Sequence, residues 1–107
     1  MNPEEMMKKA RAAVFIKNNG KILRGINMIG TDYNNLASIR SALNMDKDEF
    51  ADSVNYLIES EFVRIRSVYT EAEAELADYP MDELEGKLTA KGVQLLYGRI
   101  SDPCVDN

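Results

Sequence analysis

A hydrophobic period that changes in mid-segment limits the folds open to this chain more than any other feature. It lies in residues 45–66, MDKDEFADSVNYLIESEFVRIR. Phe50, Val54, Leu57 and Ile58 recur at i, i+4, i+7 and i+8, the stripe of an amphipathic helix. Asp46 ahead of them suits an N-cap, and Glu49 three residues later completes a capping-box pattern. A helix is therefore expected from Asp46 to about Glu59. The period then drops to two: Val63 and Ile65 point one way, Arg64 and Arg66 the other. A capped helix that passes within a few residues into a half-buried strand needs a core that packs helices against a sheet.

The flanking segments supply the rest. Asn2 caps a first helix, Pro3 suits its first position, and Glu4 and Glu5 suit the positive end of its dipole. Met6, Ala10, Ala13 and Val14 share one side at helical spacing. Asn18, Asn19 and Gly20 read as a stop signal, so the helical spacing of Ile22, Leu23, Ile26 and Ile29 is assigned to a second helix, with one interrupted long helix as the alternative. GTDYNN reads as a turn. A short helix follows, with Leu36, Ile39 and Leu43 on one side, and NMD connects it tightly to the helix at Asp46. Beyond the strand at residues 63–66, residues 71–86 form an acidic excursion with a turn near Tyr79–Pro80. Its EAEAEL alternates like a strand but has the composition of a helix, so strand, helix and disorder all stay open there. GKLT returns as a strand. Thr89 caps a last helix whose spacing places Val93, Leu96 and Tyr97 together, and ISDPCVDN is a tail.

This order predicts a mainly α fold with a small β-hairpin, an α+β chain of winged helix-turn-helix type. Its single domain, 1–107, divides into an N-terminal helix (1–20), a helical core with the helix-turn-helix (21–60), a wing (61–89), a C-terminal helix (89–99) and a tail (100–107). At 107 residues there is chain for one modest core and little for a deep cleft.

Composition narrows the function. The absence of histidine removes His-based triads, His general bases and nearly all catalytic zinc sites, and a single cysteine, Cys104, removes zinc fingers and internal disulfides. The lone thiol fits a reducing compartment. The start, MNPEEMMKK, is too acidic and polar for a secretory signal, and no apolar run reaches membrane-spanning length. The cytoplasm is the expected location. NNGK at 18–21 lacks the earlier glycine and the Ser or Thr of a phosphate loop, and the acids of the excursion lack EF-hand spacing. No enzyme activity, metal, cofactor, small-molecule substrate or membrane association is expected.

SVNYLIESEFVRI followed by LTAKG resembles the helix–strand–wing–helix signature of winged-helix regulators. The run LTAKGVQLLYGRISDPCV is similar to the ending of the small winged-helix proteins of Mu-like phages and prophages. It carries Leu88, Thr89, Lys91, Gly92, Gly98, Arg99 and Pro103 at the matching places. It departs in having Cys104–Val105 where the group has Gly-Val after the proline, and in a longer, more acidic wing. The resemblance spans residues 21–105. It implies a fold and a phage-like origin, with no activity attached.

Charge separates the candidate functions. The net charge is −5, yet residues 1–24 carry +4 through Lys8, Lys9, Arg11, Lys17, Lys21 and Arg24 against Glu4 and Glu5, leaving −9 on the rest. With its stripe facing the core, the helix at Asp46 presents Asp48, Asp52, Asn55, Tyr56 and Glu59. That face has the position of a recognition helix but lacks the charge that phosphate neutralisation requires. Two functions stay open. One is DNA binding as a regulator or accessory factor, through Lys8, Lys9, Arg11, Lys17 and Lys21, with Lys47, Ser53 and Asn55 near the groove. The other is protein binding or dimerisation through Asp48, Asp52, Tyr56, Glu59 and Tyr79. Arg64 and Arg66 are expected to pair with Glu83 and Glu85 across the hairpin rather than with phosphate.

Overall fold

A computed structural model of the chain describes residues 1–28 and 32–106. Its order is α1 (Pro3–Met28), β1 (Asn34–Asn35), α2 (Leu36–Leu43), α3 (Lys47–Glu59), β2 (Val63–Ser67), a 3₁₀ turn (Met81–Glu83), β3 (Leu84–Leu88) and α4 (Ala90–Leu96). Among the described residues this is an α+β fold of four helices and a three-stranded antiparallel sheet in the order β1-β3-β2. The hairpin expected from the sequence is therefore extended by Asn34 and Asn35, which pair with Gly86 and Glu85 where a turn was predicted. Ile29 and the Gly30–Thr31 start of that turn lie outside the described residues, as does Asn107 of the tail.

Three helices end the same way. In α2 the Asn44 N–H donates to the Ser41 carbonyl and the Met45 N–H to that of Arg40, with Asn44 left-handed at φ 52°. Glu61 (φ 66°) and Gly98 (φ 71°) take the same place after α3 and α4. These are Schellman closures, which satisfy the last carbonyls and turn the chain sharply. They explain why α2 reaches α3, and α3 reaches β2, with so few residues between. At the front of α3, Asp46 Oδ2 accepts from the N–H groups of Asp48 (3.1 Å) and Glu49 (3.2 Å). The capping box is completed differently from its pattern: Glu49 Oε2 accepts from Asn18 Nδ2 of α1 at 3.3 Å, tying two helices together.

The core lies between the second half of α1, the helix pair α2–α3 and the inner face of the sheet. Ile22, Leu23, Leu36, Phe50, Val54, Leu57 and Leu84 are all fully buried in it. The predicted stripes of α2 and α3 face it, as do Val63 and Ile65. Two expectations fail. Of the α4 stripe only Leu96 packs against the core: Val93 is exposed and Tyr97 is 71 % exposed, whereas Gly92 and Leu95 are buried. The cause is a backbone contact, since a Cβ on Gly92 would strike the Phe62 carbonyl oxygen. Thr89 Oγ1 bonding to the Glu61 carbonyl and Lys91 Nζ to that of Ser60 hold α4 in this orientation.

The second failure concerns Gly20. Instead of ending a helix, it lies inside one continuous 26-residue α1. The tail, residues 100–106, crosses α1 there, and a Cβ on Gly20 would collide with the Asp106 carbonyl oxygen. Asn19 Nδ2 donates to the Cys104 carbonyl (2.9 Å), Arg24 Nη1 to that of Asp106 (2.9 Å), and Val105 is buried. The glycine and asparagines that mimic a stop signal are the seat of a C-terminal strap.

Candidate functional site

Residues 3–14 of α1 extend beyond the core and are exposed throughout. Lys8, Lys9, Arg11, Lys17, Lys21 and Arg24 are all exposed as well. At 100° per residue, Lys17, Lys21 and Arg24 fall at i, i+4 and i+7 on the side of α1 turned away from the buried Ile22 and Ile26. Among the described residues, ion pairs centre on Arg66 alone, so no described carboxylate pairs with the charges of this outer face.

The face of α3 has the opposite sign. Asp48, Asp52, Asn55 and Glu59 are exposed as predicted, and so is Lys47. Residues 71–78, left open by the sequence, fold back along the outer edge of β2. Glu73 makes an isolated bridge with Arg66, and the Ala74 N–H donates to the Ile65 carbonyl at 3.3 Å. The excursion thus covers an otherwise open strand edge and ends in the 3₁₀ turn. It also builds one wall of a cleft of about 730 Å³ whose other wall is α3. Asn55, Glu59, Glu73, Glu75 and Asp78 line it, around Ile58 and Leu76. The field of this acidic region reaches Tyr69, whose phenol is held above its ordinary range by the nearby Glu83 charge and by its hydrogen bond to that carboxylate.

Two candidate residues are internal. Ser53, expected near a DNA groove, is fully buried, and its Oγ has no hydrogen-bond partner among the described residues. As placed it cannot reach a base edge. Tyr56, expected as an exposed anchor, is half-buried; its ring meets Phe15 edge-on at 5.5 Å and its hydroxyl donates to Asp102 Oδ1 at 2.7 Å. It fastens the strap to α3. Tyr79 stays exposed at the turn of the excursion.

Burial, and then the hydrogen bond to Asp102, push the Tyr56 phenol up to about 12 from an ordinary 10.0. The folded state thus favours the neutral phenol, and the resulting stability is fully present below the unfolded pKa. It is lost as pH rises from 10.0 through about 12. In a spectrophotometric titration a late tyrosine step at about 12 is expected, and it should vanish in Tyr56→Phe. A late step that survives in that variant sinks the assignment.

On the outer face of the sheet Arg66 donates from Nε to Glu85 Oε1 at 2.6 Å and stacks on Tyr33, 3.8 Å from the ring centroid. The predicted cross-strand pairing is present at this position, where Arg66 and Glu85 are in register. Arg64 instead stands opposite Lys87, and Glu83 is taken up by the 3₁₀ turn. Among the described residues no group of three or more His, Cys, Asp or Glu side chains is placed to hold a metal ion, and no helix is long and apolar enough to cross a membrane. Compared with protein-family models, curated proteins and solved structures, the chain matches none.

Proposed function

We propose that the chain is a small non-enzymatic winged-helix protein that binds DNA as an accessory factor, through the outer face of α1 and not through α3. The element order and the β1-β3-β2 strand order support the winged-helix reading. The observation that carries the DNA reading is the exposed row of Lys17, Lys21 and Arg24 on an outward helix face, with no ion pair to a carboxylate among the described residues. Such a row attracts phosphate without reading sequence. The carboxylates of the cleft beside α3 repel the same phosphates, so a duplex laid along α3 would lose the counterion-release gain that drives association.

The test is binding of random-sequence duplex DNA across a salt series. The logarithm of affinity is expected to fall by about 0.9 for each phosphate contacted per tenfold salt. Lys17→Glu with Lys21→Glu is expected to cost at least about tenfold in affinity and to flatten that slope by about two contacts. Asp52→Lys with Glu59→Lys should raise affinity evenly across sequences. No binding at about 50 mM salt sinks the proposal.

A second reading rests on the cleft. Glu59, Glu73, Glu75 and Asp78 around the apolar Ile58 and Leu76 suit a basic segment of a protein partner, with Asn55 available for a polar contact. Reversal of Glu59, which lines the cleft, separates the two readings, because it weakens a basic protein partner and strengthens DNA.

A further inference from the structure

The first three turns of α1, residues 3–14, are exposed at every position. Met6 is 58 % exposed, Met7 55 % and Val14 46 %. A free helical stretch of this length is marginal in water unless a partner covers its apolar side. Met7, Ala10 and Val14 fall at i, i+3 and i+7, an apolar stripe on the arm. The stripe runs into a groove of about 530 Å³ between α1 and α3. Ala10, Val14 and Phe15 supply its apolar lining, and α3 contributes Glu49, Asp52 and Ser53. Ser53 Oγ is buried there without a partner among the described residues, a position a native structure ordinarily satisfies.

We infer that this groove is occupied by the α1 arm of a second copy, giving a two-fold dimer in which the arms cross antiparallel. The argument for that occupant is complementarity within one surface. Each copy carries an apolar stripe flanked by Lys8 and Arg11, and beside it an apolar groove that Glu49 and Asp52 rim on the α3 side and Arg11 on the α1 side. A two-fold interface requires the donor and acceptor patches to lie together on the same chain. The carboxylate rim disfavours nucleic acid in the groove and favours a basic helix. Lys17, Lys21 and Arg24 lie further along α1, so this association does not depend on DNA binding.

Sedimentation equilibrium of the full chain over a wide concentration range tests the inference. A reversible dimer is expected. Val14→Glu, at a position exposed in the single chain, is expected to weaken it at least about tenfold with an unchanged thermal melt of the monomer. Arg11→Glu and Asp52→Arg should each weaken it, and the double variant should recover most of the loss. A monomer at every concentration overturns the inference, as does a dimer that Val14→Glu leaves intact. A monomer that still binds DNA with a steep salt dependence overturns the dimer alone and leaves the DNA proposal standing.

Discussion

Replacing Phe50 by alanine is expected to cost about 3–5 kcal/mol of folding stability, a large share of the roughly 5–15 kcal/mol that keeps a domain folded. Phe50 is fully buried at the start of α3, in one core with Ile22 of α1 and Leu84 of β3. Removing the ring leaves a cavity between three elements whose backbones are held by caps and strand pairing, which limits how far they can collapse into it. Urea unfolding is the measurement. The midpoint should fall by on the order of 2 M with little change in slope. A loss below about 1 kcal/mol would mean that α3 does not present this face to the core.

Gly20→Ala should reverse the usual sign of its substitution. In an exposed helix interior, glycine to alanine gains about 1 kcal/mol from helix propensity. Here the added methyl group meets the Asp106 carbonyl oxygen, so the C-terminal strap has to lift from α1. Lifting it exposes Val105 and breaks the hydrogen bonds of Asn19 to Cys104, Arg24 to Asp106 and Tyr56 to Asp102. Burial of one valine contributes about 1.5 kcal/mol and each hydrogen bond about 1 kcal/mol. A net destabilisation of about 3–4 kcal/mol is therefore expected after the propensity gain is subtracted. Thermal unfolding reads the loss, and amide exchange at residues 102–106 should rise with it. A more stable variant would show that Gly20 has no close neighbour.

Much of the scaffold was legible because its signals are local. The α3 stripe, its Asp46 cap, the Asn2 cap of α1, the alternation of β2 and the Thr89 cap of α4 each involve residues within a few positions of one another. Their physical warrants act over one turn or one pleat, so they survive without knowledge of the fold. The acidic face of α3 was legible for the same reason: once the stripe is placed, the opposite side follows from 100° per residue.

What escaped the sequence was decided by groups far apart in the chain. Asn18-Asn19-Gly20 carries every local mark of a helix end, yet α1 runs through it. Asn19 takes its partner 85 residues away. The α4 face was misassigned because a glycine–backbone approach at Phe62 outweighs the burial of Val93 and Tyr97 in so short a helix. Residues 71–78 had conflicting local preferences, and the open edge of β2 settled them by offering backbone partners. Ser53 and Tyr56 lie on α3 where only the positions of α1 and the strap determine what is covered.

By itself, then, the amino-acid sequence determined α2, α3, α4 and the strands of the hairpin, their caps and the segregation of charge, with a basic first helix and an acidic remainder. The tertiary structure alone decided which glycine is a contact and not a stop, which tyrosine is a fastening and not an anchor, and that the arm of α1 stands clear of its own core. The division follows from range. Propensity, capping and periodicity are properties of neighbouring residues, whereas close approach and burial depend on what the rest of the chain brings alongside.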